Sequence, residues 1–278
     1  MFPAVAMHDR ARAAEALREL AEGVRRATSR VRNFIAVMSG KGGVGKSTIS
    51  ASIAIALHRL GKEVAVLDAD IHGPSIPWLM GVEGERMYAT EEGRILPVNA
   101  GGVKVVSVEL ALDRKDLPIM WRGPVKTRAI LDLLSMTQWG ELDYVVVDLP
   151  PGTGDEALTI ARYLRHGLSG AILVLTPGLM VGHVVGKCRN FAKALGIPLI
   201  GAVINMSYFK CPKCGATYRF FGGVAKPLVN VIAELPLDPR VADLADKGML
   251  REAFTSLGSC EWVLGVVRIA REVVRRFG

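Results

Sequence analysis

Continuous apolar, β-branched runs alternate along the chain with longer stretches whose apolar positions recur at helical spacing. The runs fall at residues 33–39, 62–68, 102–108, 143–148, 170–176, 198–205 and 227–235. A strand with one wet face alternates apolar and polar residues, whereas a continuous run needs cover on both faces. The pattern therefore predicts an α/β fold, a mostly parallel twisted sheet with helices on both faces. Ligands of such sheets belong at the carboxyl ends of the strands.

A chain of 278 residues, half of them apolar, fits one large α/β domain. Residues 1–32 read as an N-terminal helical extension, rich in Ala, Arg, Glu and Leu, and residues 33–278 as the domain itself. Two segments break the rhythm. Residues 81–93 are polar and read as a surface loop, and about 206–226 form a long insertion, of a length that usually has a function. The final stretch places Trp262, Val266, Ile269, Val273 and Phe277 on one face and Arg268, Arg271, Arg275 and Arg276 outside it. Such a helix can lie on a membrane, but packing on the sheet is the simpler expectation.

Composition narrows the setting. No apolar run approaches the ~18 residues that cross a bilayer, and the start lacks the pattern of a signal peptide, so a cytoplasmic protein without a membrane partner is expected. The net charge of +8 suggests a polyanion, but the basic residues concentrate in 10–32 and 268–276 without interleaved aromatics. They predict solvated helix faces and no nucleic-acid partner. Four cysteines are too few for a disulfide framework in a chain this long; Cys188 and Cys260 read as buried apolar residues and Cys211 with Cys214 as ligands.

The sharpest chemical signal is Gly40-Lys41-Gly42-Gly43-Val44-Gly45-Lys46-Ser47-Thr48, between a buried strand and a helix. Such a turn aims backbone N–H groups and a helix N-terminus at one point, where phosphate is favoured. Lys46 can reach the β- and γ-phosphates, and the Ser47 hydroxyl can ligate Mg²⁺. Asp68 and Asp70 end the second strand on the same side, placed to hold Mg²⁺ through water or to orient water. Asp148 ends another apolar strand, where an acid can hold Mg²⁺ through water; the Gly152 N–H that follows can sense a γ-phosphate.

The early Lys41 resembles that of the deviant P-loop ATPases, the group of MinD, ParA, the nitrogenase iron protein and the Mrp-type iron–sulfur carriers. The resemblance implies ATP as the nucleotide and a deviant Walker A fold. It also implies a homodimer in which Lys41 reaches the partner subunit's nucleotide; otherwise Lys41 is a solvated loop lysine. It assigns Asp70 to the attacking water, Asp68 to a Mg²⁺-side or supporting role, and Asn205 to the adenine edge, with Pro236 near the base. Lys41, Lys46 and Asp70 are then the catalytic residues.

A single family carries the remaining motifs. Trp121-Arg122-Gly123-Pro124, the run from Asp148 to Asp155, Asn205 to Phe209 with Cys211-Pro212-Lys213-Cys214-Gly215, and Pro236-Leu237-Asp238-Pro239 together resemble the Mrp iron–sulfur cluster carrier ATPases. The resemblance runs from about Asn33 to the end, without the N-terminal cysteine cluster or small N-terminal domain of some relatives. It implies a slow ATPase that holds a [4Fe–4S] cluster between two subunits and passes it to apo iron–sulfur proteins. Coordination arithmetic agrees, since one CxxC offers two thiolates and a cluster needs about four ligands. The Lys213 charge should favour thiolate. The same pair is half of a zinc knuckle, so Zn²⁺ competes for the site. A MinD- or ParA-like positioning ATPase on membrane or DNA, or a zinc-bound regulatory ATPase, are the alternatives.

Overall fold

The computed structural model describes residues 15–16, 18–71, 73–111, 123–152, 154–178, 181–220 and 229–278. Trp121, Arg122 and Thr153, which carry parts of the expected motifs, lie outside them.

Helix α1 (residues 18–27) leads into β1 (Val31–Ser39). There follow α2 (Lys46–Arg59), β2 (Val64–Asp68), α3 (Ile76–Leu79), β3 (Tyr88–Ala89), β4 (Ile95–Leu96), β5 (Val98–Ala100) and β6 (Val103–Ser107). The middle of the chain forms α4 (Val108–Ala111), α5 (Gly123–Met136), β7 (Leu142–Asp148), α6 (Asp155–Tyr163), β8 (Leu168–Leu175) and α7 (Val181–Leu195). The remainder forms β9 (Leu199–Lys210), β10 (Thr217–Tyr218), β11 (Val231–Pro236), α8 (Pro239–Asp246), α9 (Leu250–Ser256) and α10 (Glu261–Phe277).

The main sheet has the order β10-β9-β8-β1-β7-β2-β6-β5, with β11 also on β9. The pairs β1–β7, β1–β8, β2–β6, β2–β7, β8–β9 and β9–β11 are parallel; β5–β6 and β9–β10 are antiparallel. Alternate residues of each central strand face opposite layers, as a period of two requires. Ile35, Val37, Val64, Val66, Tyr144 and Val146 pack with α2 and α10. Phe34, Ala36, Ala65, Leu67, Val145 and Val147 pack in the other layer with α5 and α6, and Leu20 and Val24 of α1 join them. The mostly parallel, doubly covered sheet is the architecture that the apolar runs predict.

Three expectations are corrected. The polar stretch 81–93 is not wholly loop, because Tyr88–Ala89 pairs with Ile95–Leu96 as a small antiparallel ladder. The insertion does not begin at 206: β9 continues to Lys210, where Phe209 and Lys210 pair with Tyr218 and Thr217. The interruption at Met206 is local, a positive φ of 54° where the pairing with β11 shifts register. Cys260 is not a core residue; it is half-buried and caps α10, its Sγ accepting from Val263 N. Cys188 is buried, and burial pushes its thiol up to about 11.

The C-terminal helix packs as the simpler reading expects. Trp262, Val266, Ile269 and Val273 are buried against α2 and β11, with Phe277 half-buried beside them. Among the described residues no single helix is long and apolar enough to cross a membrane.

Candidate nucleotide and metal-thiolate sites

The turn from β1 into α2 is built by glycine. Gly43 and Gly45 have φ of 74° and 80°, a left-handed conformation that side chains other than glycine's resist. Gly45 is the N-cap of α2 and has no side-chain cap, so the first N–H groups of a fourteen-residue helix point into the turn. A Cβ on Gly45 would also collide with the Asn205 amide nitrogen. The turn encloses a cavity of about 220 Å³ lined by Ser39, Lys41 to Thr48, Asp70, Ser75 and Pro151. Lys41 is exposed at its mouth.

Strand register brings the second group of residues to this point. Val37 pairs with Asp148 across β1–β7, and Asp68 pairs with Asp148 across β2–β7. Asp148 is fully buried and receives three groups: Lys46 Nζ at 2.7 Å and Ser50 Oγ at 2.6 Å on Oδ1, and Ser47 Oγ at 2.6 Å on Oδ2. The expected phosphate lysine, magnesium hydroxyl and magnesium-side carboxylate therefore form one buried network. A phosphate or a cation entering the turn competes with these bonds.

Asp68, also buried, accepts from Asp70 N at 3.1 Å on Oδ1, and from Ser75 N at 3.1 Å and Ile76 N at 3.2 Å on Oδ2. Burial, then the nearby Asp148 charge, holds its carboxyl well above the usual range; the N–H groups of Ile76 and Asp70 and then the Lys46 charge oppose this. It fixes the loop that carries Asp70 into the cavity. Gly152, with φ of 90°, donates its N–H to Ser39 O at 2.8 Å, so contact with a γ-phosphate requires that bond to be exchanged.

Asn205 is buried, and its Nδ2 donates to Val44 O at 3.0 Å, bracing the turn from β9; Oδ1 is the atom left for an adenine edge. Pro236 does not line this cavity. It lines a separate cavity of about 490 Å³ with Cys211, Pro212, Leu237, Arg240 and Cys260.

Cys211 and Cys214 sit at the tip of the β9–β10 hairpin. Gly215, with φ of 74°, donates its N–H to Cys211 O at 2.9 Å, and Cys211 N donates to Ala216 O at 2.9 Å, closing a tight turn in which the two thiols reach hydrogen-bonding distance. Cys211 is half-buried and Cys214 exposed. The backbone N–H groups of Cys214 and then Lys213, followed by the Cys214 thiol, pull the Cys211 thiol below its ordinary range. The expectation that the lysine charge does this is corrected: the cause is backbone geometry. Two thiols on one turn suit a cluster or Zn²⁺ in ligand type, but among the described residues no third His, Cys, Asp or Glu joins them.

The hairpin is anchored by residues that the sequence reading did not single out. Tyr208 Oη donates to Glu261 Oε2 at 2.8 Å, and Lys210 pairs with Glu261 Oε1 at 2.7 Å. Burial and then the bond to Glu261 push the Tyr208 hydroxyl up to about 12. Arg219 donates to Glu234 at 3.0 Å and to Ser207 at 3.1 Å, and its guanidinium lies 5.5 Å from the Tyr208 ring centroid. Tyr208 and Ser207 fall within the motif that begins at Asn205. Nothing local marks Glu234 or Glu261.

The chain is similar to several known proteins. The family model of the NUBPL iron-transfer P-loop NTPases (ParA) matches residues 30–267. An iron–sulfur cluster carrier protein of Aquifex aeolicus is 43% identical over 224 residues, covering 78% of this chain and 61% of that longer protein. One of Methanocaldococcus jannaschii is 41% identical over 256 residues, covering 90% and 88%. A solved nucleotide-binding protein of Archaeoglobus fulgidus, in complex with ADP, superposes with a TM-score of 0.73 at 36% identity, covering 84% and 93% of the two chains.

Proposed function

The chain belongs to the NUBPL-type iron-transfer P-loop NTPases of the ParA family, and from that membership we propose that it is an ATP-binding, ATP-hydrolysing carrier of a [4Fe–4S] cluster. The observation that carries the proposal is the course of β9. One strand braces the P-loop through Asn205 and then delivers Cys211 and Cys214 at its tip. Nucleotide chemistry and thiolate chemistry share a single rigid element.

In this reading the backbone N–H groups of Gly40 to Gly45 hold the phosphates, while Lys46 leaves Asp148 to meet the β- and γ-oxygens. Ser47 would hold Mg²⁺, with Asp148 and Asp68 as its supporting carboxylates, and the ion would supply neutralisation of phosphate charge. Asp70 orients the attacking water, and Gly152 exchanges its bond to Ser39 for the γ-phosphate. Asn205 Oδ1 reads the adenine amine; Pro236 takes part only at the margin. The cluster is cargo. A turn with two thiolates supports sharing it with a second copy, in a homodimer where Lys41 completes the partner subunit's nucleotide site and from which apo iron–sulfur proteins receive the cluster. Residues 1–32 act as an extension of the domain. The four free thiols suit a reducing cytoplasm.

Sedimentation with and without ATP tests the dimer. Asp70→Ala, slow in hydrolysis, is expected to accumulate as a dimer with ATP, and Lys41→Ala in that background to stay monomeric. A nucleotide-independent assembly state, identical in both, contradicts the proposal.

A further inference from the structure

The outer side of α10 carries a charge pattern that the nucleotide and thiolate chemistry does not use. Arg268, Arg271 and Arg275 lie at i, i+3 and i+7, so they share one helix face, and all three are exposed. They line a groove of about 460 Å³ whose other wall is Asn230, Val231 and Ile232, at the start of β11. Glu272, the only carboxylate lining the groove among the described residues, is already engaged. It accepts from Arg275 at 2.7 and 2.8 Å and from Arg276 at 2.8 Å, and these bonds hold its carboxyl at about 2. Arg268 and Arg271 have no ion pair among the described residues.

The opposite wall is a strand edge that no described strand covers. Among the described residues β11 pairs with β9 alone, so its other side offers backbone groups to no described strand of the sheet. An unpaired edge is a template for another extended chain. Because β11 runs parallel to β9, and β9 through β8 to β1, the start of β11 lies at the end of the sheet opposite the P-loop. A chain seated there leaves the nucleotide cavity open.

We infer that this groove docks an extended acidic segment of a partner protein, with its main chain along the edge of β11 and its carboxylates on Arg268 and Arg271. Other polyanions fit it less well. The apolar face of α10 is buried in the core, and Leu264 is the one large apolar residue the helix exposes, too little to seat it in a bilayer. Among the described residues no aromatic ring lines the groove to stack a nucleic-acid base.

The test is fluorescence anisotropy on the full chain, with a labelled peptide of alternating glutamate and valine and a counterpart with glutamine for glutamate. The glutamate peptide is expected to bind saturably, about tenfold or more tighter than the glutamine peptide, and to weaken as salt screens the contact. Arg268→Glu with Arg271→Glu should lower its affinity about tenfold or more while ATP affinity is unchanged; Arg268→Gln with Arg271→Gln serves if the reversal disturbs folding. Equal binding of the two peptides, or unchanged binding by both variants, overturns the inference. Tighter capture of a single-stranded oligonucleotide or of phosphatidylserine vesicles, lost in the same variants, also overturns it.

Discussion

Lys46 Nζ lies 2.7 Å from Asp148 Oδ1, and the two side chains are 6% and 0% exposed. The pair joins the lysine that belongs to phosphate with the carboxylate that belongs to the metal. Removing one partner of a buried pair leaves an uncompensated charge, with a loss of about 3–5 kcal/mol. Lys46→Met is therefore expected to lose nucleotide binding and to lower unfolding stability by that order. Lys46→Met with Asp148→Asn should recover part of the stability but none of the binding. Urea melts of the single and double variants check this, and additive losses would contradict a direct pair.

Asp68 gives a pH signature. Burial and Asp148 raise its carboxyl, so the folded chain holds the Asp68 proton more tightly than the unfolded chain. Stability from this group is greatest below the unfolded value of about 4, falls as pH rises to the folded value, and is level above it. Asp68→Asn removes the titration, although it costs a fixed amount at the Ser75 and Ile76 N–H groups, which lose a carboxylate oxygen. The melting temperature of the variant relative to the parent should climb from acid toward neutral pH. A flat difference would refute the raised carboxyl.

Asn205 is a brace before it is an adenine contact. Asn205→Ala leaves the Val44 carbonyl without its buried donor, a loss of about 1–3 kcal/mol, and loosens the turn against which Gly45 packs. Nucleotide affinity should fall for both ATP and GTP through the loosened turn, and further for ATP, which also loses the proposed adenine contact. Titration calorimetry with both nucleotides checks this: an equal loss leaves Asn205 as a brace alone, and a loss for ATP alone removes the brace.

Asp70 lines the P-loop cavity on the loop fixed by Asp68. Asp70→Ala is expected to lower the hydrolysis rate by about 10²-fold or more with nucleotide affinity within a few-fold, as for a water-positioning group. An unchanged rate of phosphate release removes Asp70 from the chemistry.

The parts of this site that were legible in the sequence are those that local spacing fixes. The run from Gly40 to Thr48 specifies its own turn, and the apolar runs at 33–39 and 143–148 place Ser39 and Asp148 at strand ends. The pairing of Lys46 with Asp148 was not legible, because it depends on β1 and β7 being neighbours in register. The same holds for Asn205, whose bond to Val44 spans 161 positions. The stretch that carries Cys211 reads as an insertion from about 206, since Asn205 and Ser207 break the apolar run, yet the ladder continues through Lys210. Cys260 was misread by residue type alone; the helix beginning at Glu261 makes its thiol a cap. Glu261 itself, which anchors Tyr208 and Lys210, carries no signal within its own stretch of sequence.

The most direct test of the account is iron, sulfide and zinc analysis, with an absorption spectrum, of the chain reconstituted anaerobically with iron and sulfide. The account predicts about four irons per dimer and broad visible absorption, both lost in Cys211→Ser and in Cys214→Ser while ATP binding is retained. Iron that survives in those variants, or tightly held zinc that iron does not displace, would contradict it.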